Sequence, residues 1–576
     1  MTHLRLTASD YLVVIGYFVL VLWIGIWFRN RLVTLKDYFA GGNQIPWWMA
    51  GISHYMSSFS AFSFIAYAQI GYMYGWVAVT LFWVAVPGCL AGGLFFAKRW
   101  RRARVITPVQ FLETRFNTLI QQLFAWAGIP MKIFDDALKI FATGLFVSIA
   151  SGLSLPWSII ICGVVMVAYT FFGGVWALVV TDYVQFLMKA LAILLMLPLA
   201  IVAAGGIRPA FTGLPKGFLA PVNEPYGWIY IAGFATVMIV SYNATWSLAQ
   251  KYYSVRDEHE ASKAAYCSAV LNVLGAPLMI LPAVIGRHIL PNLIAQRRTA
   301  DTYVLLVMRL LPAGMVGIIM AAMFSATMAV VSGDFNAIAS VLTQDICRRL
   351  MRPSAPERHL VSIGRWITFG LGALTTSLSL WIAFEHQQSL FNLMVTALGL
   401  FMAPTLLPLL AGLTVRKLNW QGAFGGFLCG LATGSIMLAV KTWWPTASTA
   451  FGSTYNFEGV SLLANTAATI LGMVLGTRFF PRTSTESMRV DEFFRALDAP
   501  VLANEIPMKA ANPAGPVLAM STGGVGLLIT LAGLISKSTT ARIIDPLVGL
   551  VLIGIGVLFY RSSRTVSLTS TDEHRK

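Results

Sequence analysis

Charge is what this chain has least of. Of 576 residues only 11% are Asp, Glu, Lys or Arg, whereas 57% are hydrophobic and the mean hydropathy is +0.72. A soluble core of this size needs a far more charged surface, so the composition excludes a soluble globular protein and reads as an integral membrane protein. Cysteine is scarce as well. Cys89, Cys162, Cys267, Cys347 and Cys429 stand singly in or beside apolar runs with no CxxC, which excludes a disulfide framework and a zinc site. No P-loop, HExxH or GxSxG occurs, so neither ATP hydrolysis nor a hydrolase is indicated. Acidic residues number 24 against 41 basic ones. The excess sits in short clusters between apolar segments, which is the signature of membrane topology and not of nucleic-acid binding.

What is present is a long series of apolar segments. About fifteen reach the ~20 residues that cross a bilayer, the first near 9–29 and the last near 543–561. Tyr11–Phe28 lacks a basic leader and a cleavage site and is followed by Arg29 and Arg31, so it reads as a retained helix. Basic loops at 29–36, 98–104, 251–263, 348–358, 416–417 and 478–482, with the 561–576 tail, fall on alternate connections. The positive-inside rule then places the N-terminus outside and the C-terminus in the cytoplasm of a multi-pass protein of the cell membrane. After one leading helix (1–35), ten segments divide into sets of five, 36–204 and 205–415. An odd number per set makes the second enter from the opposite side, so the expected fold is all-α and integral to the membrane, with a five-plus-five inverted-repeat core. About four helices trail it in 416–576, around a polar insert at 481–516 whose VDEFFRALDAPV piece is weakly amphipathic.

One stretch organises the rest: DYFAGGNQIPWWMAGISHYMSSFSAFSFIAYAQIGYMYGW, residues 37–76. Its apolar part is interrupted by Ser57, Ser58, Ser60 and Ser63. One reading is a discontinuous transporter helix whose freed carbonyls hold an ion. The other is a continuous helix whose hydroxyls bond back to the preceding turn.

The order of DYFAGG, PWWMAGIS and SSFSAFSFIA resembles the first core helix of the sodium:solute symporter family. GGVWALVVTDYVQ (173–185), WSLAQKYYSVRDEHEASK (246–263), LPAGMVG (311–317) and the stretch 321–345 ending LTQD resemble it too, in the family's order. The resemblance covers roughly 8–415 and implies a secondary active transporter, with sodium as coupling ion, a small organic solute (sugar-like or carboxylated) as cargo and no organic cofactor. It implies a site between the first, third, sixth, eighth and tenth core helices. The principal sodium site would use the carbonyls of Met56, Phe59 and Ala326, with two hydroxyls one turn on, but those positions hold Ala329 and Val330. A hard cation of this kind needs about five or six oxygens, so this site is degraded. At the family's second sodium site Asp182 matches the carboxylate and Ser332 one hydroxyl, while Gly333 replaces the other. Asp334, one turn beyond Val330, is a further buried acid. It stands either in a shifted cation site with Asp182 and Ser332, or protonatable, or as the partner of a lysine on a neighbouring helix, or in the cytoplasmic vestibule.

Candidate solute contacts are Ser58, Ser60, Phe62 and Ser63 in the first broken helix and Tyr242, Asn243, Thr245 and Trp246 in SYNATW. Phe62 and Trp246 read equally as packing residues. On the third core helix, MKIFDDALKIF carries Lys132–Asp136 and Asp135–Lys139 as two interlaced i,i+4 pairs. This is either a self-neutralised structural quartet or, through Lys132, a contact for an anionic solute. His54 reads as a packing histidine. The positions of the family's sugar-binding Glu and Lys fall near Phe82–Trp83 and at Asn272, and Ser58 stands where the proline carrier has an aspartate. The alternative function is an uncoupled or proton-linked facilitator, or a solute sensor, on the same fold.

Overall fold

The computed structural model describes residues 7–29, 40–57, 60–311, 315–351, 354–385, 390–444, 446, 453–505, 515–535 and 539–573. At its centre lies a helix with no polar face. Met315–Val341 (hereafter α12) is buried at every position, including Ser325, Thr327, Ser332, Asp334 and Asn336. Being buried all round, it is surrounded by other helices.

In chain order these are α1 (Ala8–Arg29), the half-helices α2 (Trp47–Met56) and α3 (Ala61–Tyr74), α4 (Val77–Arg102), the short α5 (Phe111–Arg115), α6 (Thr118–Ser151) and α7 (Leu155–Ala203). Then come α8 (Trp228–Ala244), α9 (Trp246–Tyr253), α10 (Glu258–Ile289) and α11 (Thr302–Leu310), which precede α12. The chain continues through α13 (Glu357–Glu385), α14 (Leu390–Thr414), α15 (Trp420–Trp443), α16 (Thr454–Phe479), α17 (Ser484–Asp498), α18 (Gly515–Ile535) and α19 (Thr539–Glu573). Helices α1, α6, α7, α9 and α13 enclose α12, and the half-helices α2 and α3 also pack on it. The α1 contact is close: the Gly317 N–H donates to Asp10 Oδ1 at 2.8 Å, and a Cβ on Gly317 would stand 2.5 Å from the Asp10 carbonyl oxygen.

Among the described residues eight helices are long and apolar enough to cross a membrane, or nine with the bent pair α8–α9 as one span. Helix α6 is 34 residues long, but Lys132, Asp135, Asp136 and Lys139 make it too polar for that set. One expectation is altered. The segments near 154–173 and 180–204 share a single continuous helix of 49 residues, α7, where two spans with a reversal were expected. At 1.5 Å per residue it measures about 73 Å, more than twice the ~30 Å hydrocarbon layer. The link GGVWAL contains no proline and no polar residue, so nothing in it obliges the backbone to leave the helix.

The insert helix α17 meets protein. Val490, Phe494 and Leu497 are buried, and the Phe493 ring stacks on Phe111 at 6.1 Å. Beneath it Arg115 donates to the carbonyls of Gly412 (3.1 Å), Val415 (2.9 Å) and Leu418 (2.7 Å), which satisfies the open C-terminus of α14. The Phe494 ring covers this guanidinium at 5.2 Å.

Candidate functional site

Two broken helices meet beside α12. The first stops at Met56, turns through Ser57, and restarts at Ala61, with Ser60 extended (φ −128°, ψ 176°). Restarting a helix in the protein interior leaves N–H groups in need of acceptors. Here the Ser60 N–H reaches Ser63 Oγ at 3.4 Å, and the Ala61 N–H donates to Thr327 Oγ1 on α12 at 2.8 Å. The Thr327 hydroxyl lies 2.7 Å from that of Thr143 on α6, so one side chain joins three elements. The second break is at Thr245 (ψ 130°), where α8 and α9 diverge by 48°. Thr245 Oγ1 lies 3.1 Å from Ser241 Oγ.

Between the breaks is a cavity of about 130 Å³. Of the candidate solute contacts, Ser60, Phe62, Ser63, Lys132, Tyr242 and Thr245 line it, as do Ser57, Ser241, Phe82 and Val330. Two others are engaged elsewhere. The Asn243 amide donates to the Gly88 and Ile239 carbonyls at 2.9 and 2.8 Å, holding α8 against α4. The Trp246 ring lies against Gly128, where an added Cβ would come within 2.5 Å of it. Ser58 and Phe59 lie outside the described residues. Asn272 turns its amide back to the Ser268 carbonyl at 2.8 Å. His54 is buried, with Nδ1 2.9 Å from Ser268 Oγ and Nε2 3.3 Å from the Tyr242 carbonyl oxygen.

The charged residues form two groups. Lys132 Nζ lies 2.7 Å from Asp334 Oδ2 and 3.3 Å from Asp135 Oδ2. Lys139 Nζ lies 2.7 Å from Asp135 Oδ2, 3.4 Å from Asp136 Oδ1 and 3.6 Å from Asp334 Oδ2. Five side chains on α6 and α12 thus make one cluster, and Lys132, Asp135 and Lys139 present it to the cavity. The expected Lys132–Asp136 pair does not form, because Lys132 turns to Asp135 and across to Asp334. The second group centres on Asp182, which accepts a hydrogen bond from the Ser53 hydroxyl and feels the charge of the buried Lys251. Ser332 Oγ donates to the Ala329 carbonyl at 3.4 Å. Among the described residues no hydrogen bond or ion pair joins Asp182, Ser332 and Asp334. Met56, Ala326, Ala329 and Val330 are all buried, and the Met56 thioether lies 3.7 Å from Lys189 Nζ.

The model of the sodium:solute symporter family matches residues 38–430. This chain belongs to that family. A sodium/sialic acid symporter of Proteus mirabilis is 22% identical over 488 residues, 82% of this chain and 95% of the relative. A sodium/mannose cotransporter of Bos taurus is 26% identical over 477 residues, 76% of this chain and 80% of the relative. A solved structure of a Na+-coupled sialic acid symporter, substrate-bound and outward-open, superposes with a TM-score of 0.70 at 20% identity, covering 82% of this chain and 98% of that one. The protein is therefore a multi-pass membrane transporter of the symporter class and not an enzyme. The matched region takes in both broken helices, α6 and α12, and ends within α15.

Several lining residues of the symporter were not singled out from the sequence. Thr327, which does not line the cavity but caps α3 and meets Thr143, was not singled out either, although it follows Ala326 directly. Ser57 and Ser241 stand in the serine-rich runs already marked. Asp135 and Lys139 were read as neutral partners of each other, and only the placement of α12 shows that they share their charge with Asp334.

Proposed function

We propose that this symporter carries a small, polar, carboxylated solute through the cavity between the broken helices, coupled to sodium, by alternating access. The observation that carries the reading is the cavity wall. The cavity is lined by the hydroxyl residues Ser57, Ser60, Ser63, Ser241 and Thr245 together with Lys132 and Lys139. Hydroxyls serve the polar edges of a sugar-like body, Phe62 and Tyr242 its apolar face, and an ammonium a carboxylate. The relatives named for sialic acid carry a solute of that kind.

On this reading residues 36–204 and 205–415 are the two inverted repeats, with the two halves of α7 serving as separate spans, the N-terminus outside and the C-terminus in the cytoplasm. Met56, Phe59 and Ala326 would supply what remains of the principal ion site, and Asp182, Ser332 and Asp334 are the acids and hydroxyl open to a cation. One observation favours a second reading, a proton-linked or uncoupled carrier: Ala329 and Val330 offer methyl groups where the family's hydroxyls would be.

The test is uptake by proteoliposomes of radiolabelled N-acetylneuraminate, glucuronate, glucose and myo-inositol under an inward sodium gradient or in potassium. Sodium-driven uptake of the acids over the neutral sugars is expected. Sodium-driven uptake of the neutral sugars alone would overturn the solute assignment. Equal rates in sodium and potassium would favour the second reading.

A further inference from the structure

A broken helix leaves carbonyls open where it stops and N–H groups open where it restarts. At the second break these are not closed on each other. Were α8 to run on into α9, the Tyr242 carbonyl would take the Trp246 N–H and the Asn243 carbonyl that of Ser247, each four residues on. Both carbonyls are taken from outside instead. The Tyr242 carbonyl oxygen lies 3.3 Å from His54 Nε2, and that of Asn243 accepts from Trp100 Nε1 at 2.8 Å. A carbonyl only accepts, so His54 carries a proton on Nε2, and in the neutral ring Nδ1 accepts from the Ser268 hydroxyl at 2.9 Å. The same two rings meet the far side of the break. The imidazole stacks on Tyr252 of α9 at 4.9 Å, 28° from parallel, and the indole leans on Tyr253 at 6.2 Å. His54 of α2 and Trp100 of α4 thus each bond to the end of α8 and pack on α9, and both are 0% exposed.

We propose that His54 and Trp100 are positioning residues for the solute site: by occupying the Tyr242 and Asn243 carbonyls they keep α8 and α9 apart at Thr245, and so hold Tyr242 and Thr245 on the cavity wall. Neither lines the cavity, whereas Tyr242 and Thr245 both do. A buried carbonyl that loses its donor needs another, and continuing the helix offers one, the Trp246 N–H. Taking it would straighten the 48° bend between α8 and α9. The Thr245 hydroxyl, which lies 3.1 Å from that of Ser241, would then turn off the wall. His54 also stands two residues before α2 stops at Met56. The end of one broken helix therefore props the other, and a movement at the first break reaches the solute wall through this bond.

The inference rests on the proposed placing of the solute in this cavity, and two readouts separate the two. His54→Gln carries an N–H donor out to where Nε2 stands and leaves nothing at Nδ1. His54→Asn reaches only as far as Nδ1 and gives up the donor to Tyr242. In proteoliposomes under a sodium gradient, the apparent KM for N-acetylneuraminate should rise about tenfold in His54→Asn, the order that one buried hydrogen bond is worth. In His54→Gln it should stay near the wild-type value. Each variant loses one of the two bonds, so a histidine that only packs predicts equal KM values, and equal values overturn the proposal. The second readout needs no solute. Hydrogen exchange of the full-length protein in lipid nanodiscs, read by mass spectrometry, should slow several-fold at residues 246 and 247 in His54→Asn and not in His54→Gln, as the helix closes. Unchanged or faster exchange there overturns the proposal. Slower exchange beside a wild type that takes up no N-acetylneuraminate supports the prop and overturns the carboxylated solute. Should His54→Asn fail to fold, Trp100→Phe, which keeps a ring and loses the N–H, is read in the same way against the wild type.

Discussion

Lys132 on α6 and Asp334 on α12 face each other with Nζ and Oδ2 2.7 Å apart. This contact ties α6 to the buried central helix at the wall of the cavity between the two breaks. It gives Asp334, which sequence alone leaves among several roles, a definite partner.

Because Asp334 is wholly buried, removing Lys132 takes away its nearest cation and leaves only Lys139, at 3.6 Å, to meet the charge. Lys132→Ala should destabilise the protein by about 3–5 kcal/mol. Replacing both, Lys132→Met with Asp334→Leu, should recover much of that. Thermal unfolding of the two singles and the double as a cycle checks this; additive losses would mean that the pair does not interact.

Thr327 caps the restarted half-helix α3 through the Ala61 N–H. Thr327→Val keeps the shape and removes the acceptor, so it should cost about 1–2 kcal/mol. Amide hydrogen exchange should quicken in residues 61–64 and not along α12. Uniform protection of α3 would count against the cap.

Gly317 lets α1 lie on α12 at backbone distance. A Cβ there meets the Asp10 carbonyl at 2.5 Å, an atom that cannot swing aside. Gly317→Ala should therefore cost about 1–3 kcal/mol, read as a fall in the thermal midpoint, whereas Gly370→Ala, where nothing stands within 4 Å, should leave it nearly unchanged.

Phe494 fastens α17 over Arg115. Phe494→Ala should weaken docking of α17 by about 3 kcal/mol without unfolding the helices beneath it. Trypsin should then cut at Arg489 and Arg495 faster than in the wild type, while the remainder stays resistant.

Much of this was legible before any coordinates, for physical reasons. The serine cluster at 57–63 left a broken and a continuous helix both open, and the family resemblance favoured the break that the structure has; SYNATW supplied candidate solute contacts, and the bend at Thr245 falls within it. Which candidates face the cavity was not legible. Asn243 and Trp246 lie within two residues of Thr245, but the break at Thr245 turns one to α4 and the other to Gly128. Asp334 as the partner of a lysine on a neighbouring helix was one of several readings, and only the packing of α12 on α6 picks out Lys132 and Lys139 as the lysines it meets. The continuous course of α7 was missed because helix length is read from apolar runs, and two runs joined by an apolar link look alike whether the chain turns or continues.

Alternating access requires the cavity between the two breaks to open to each side of the membrane in turn. In a background with the five cysteines replaced, Ser241→Cys places one thiol on the cavity wall. Its labelling by a membrane-impermeant thiosulfonate reagent would be timed in right-side-out and inside-out vesicles, in sodium and in choline. Labelling from both sides, with sodium speeding one side and slowing the other, is the predicted result. Labelling from one side alone, at a rate the ions do not change, would contradict the account.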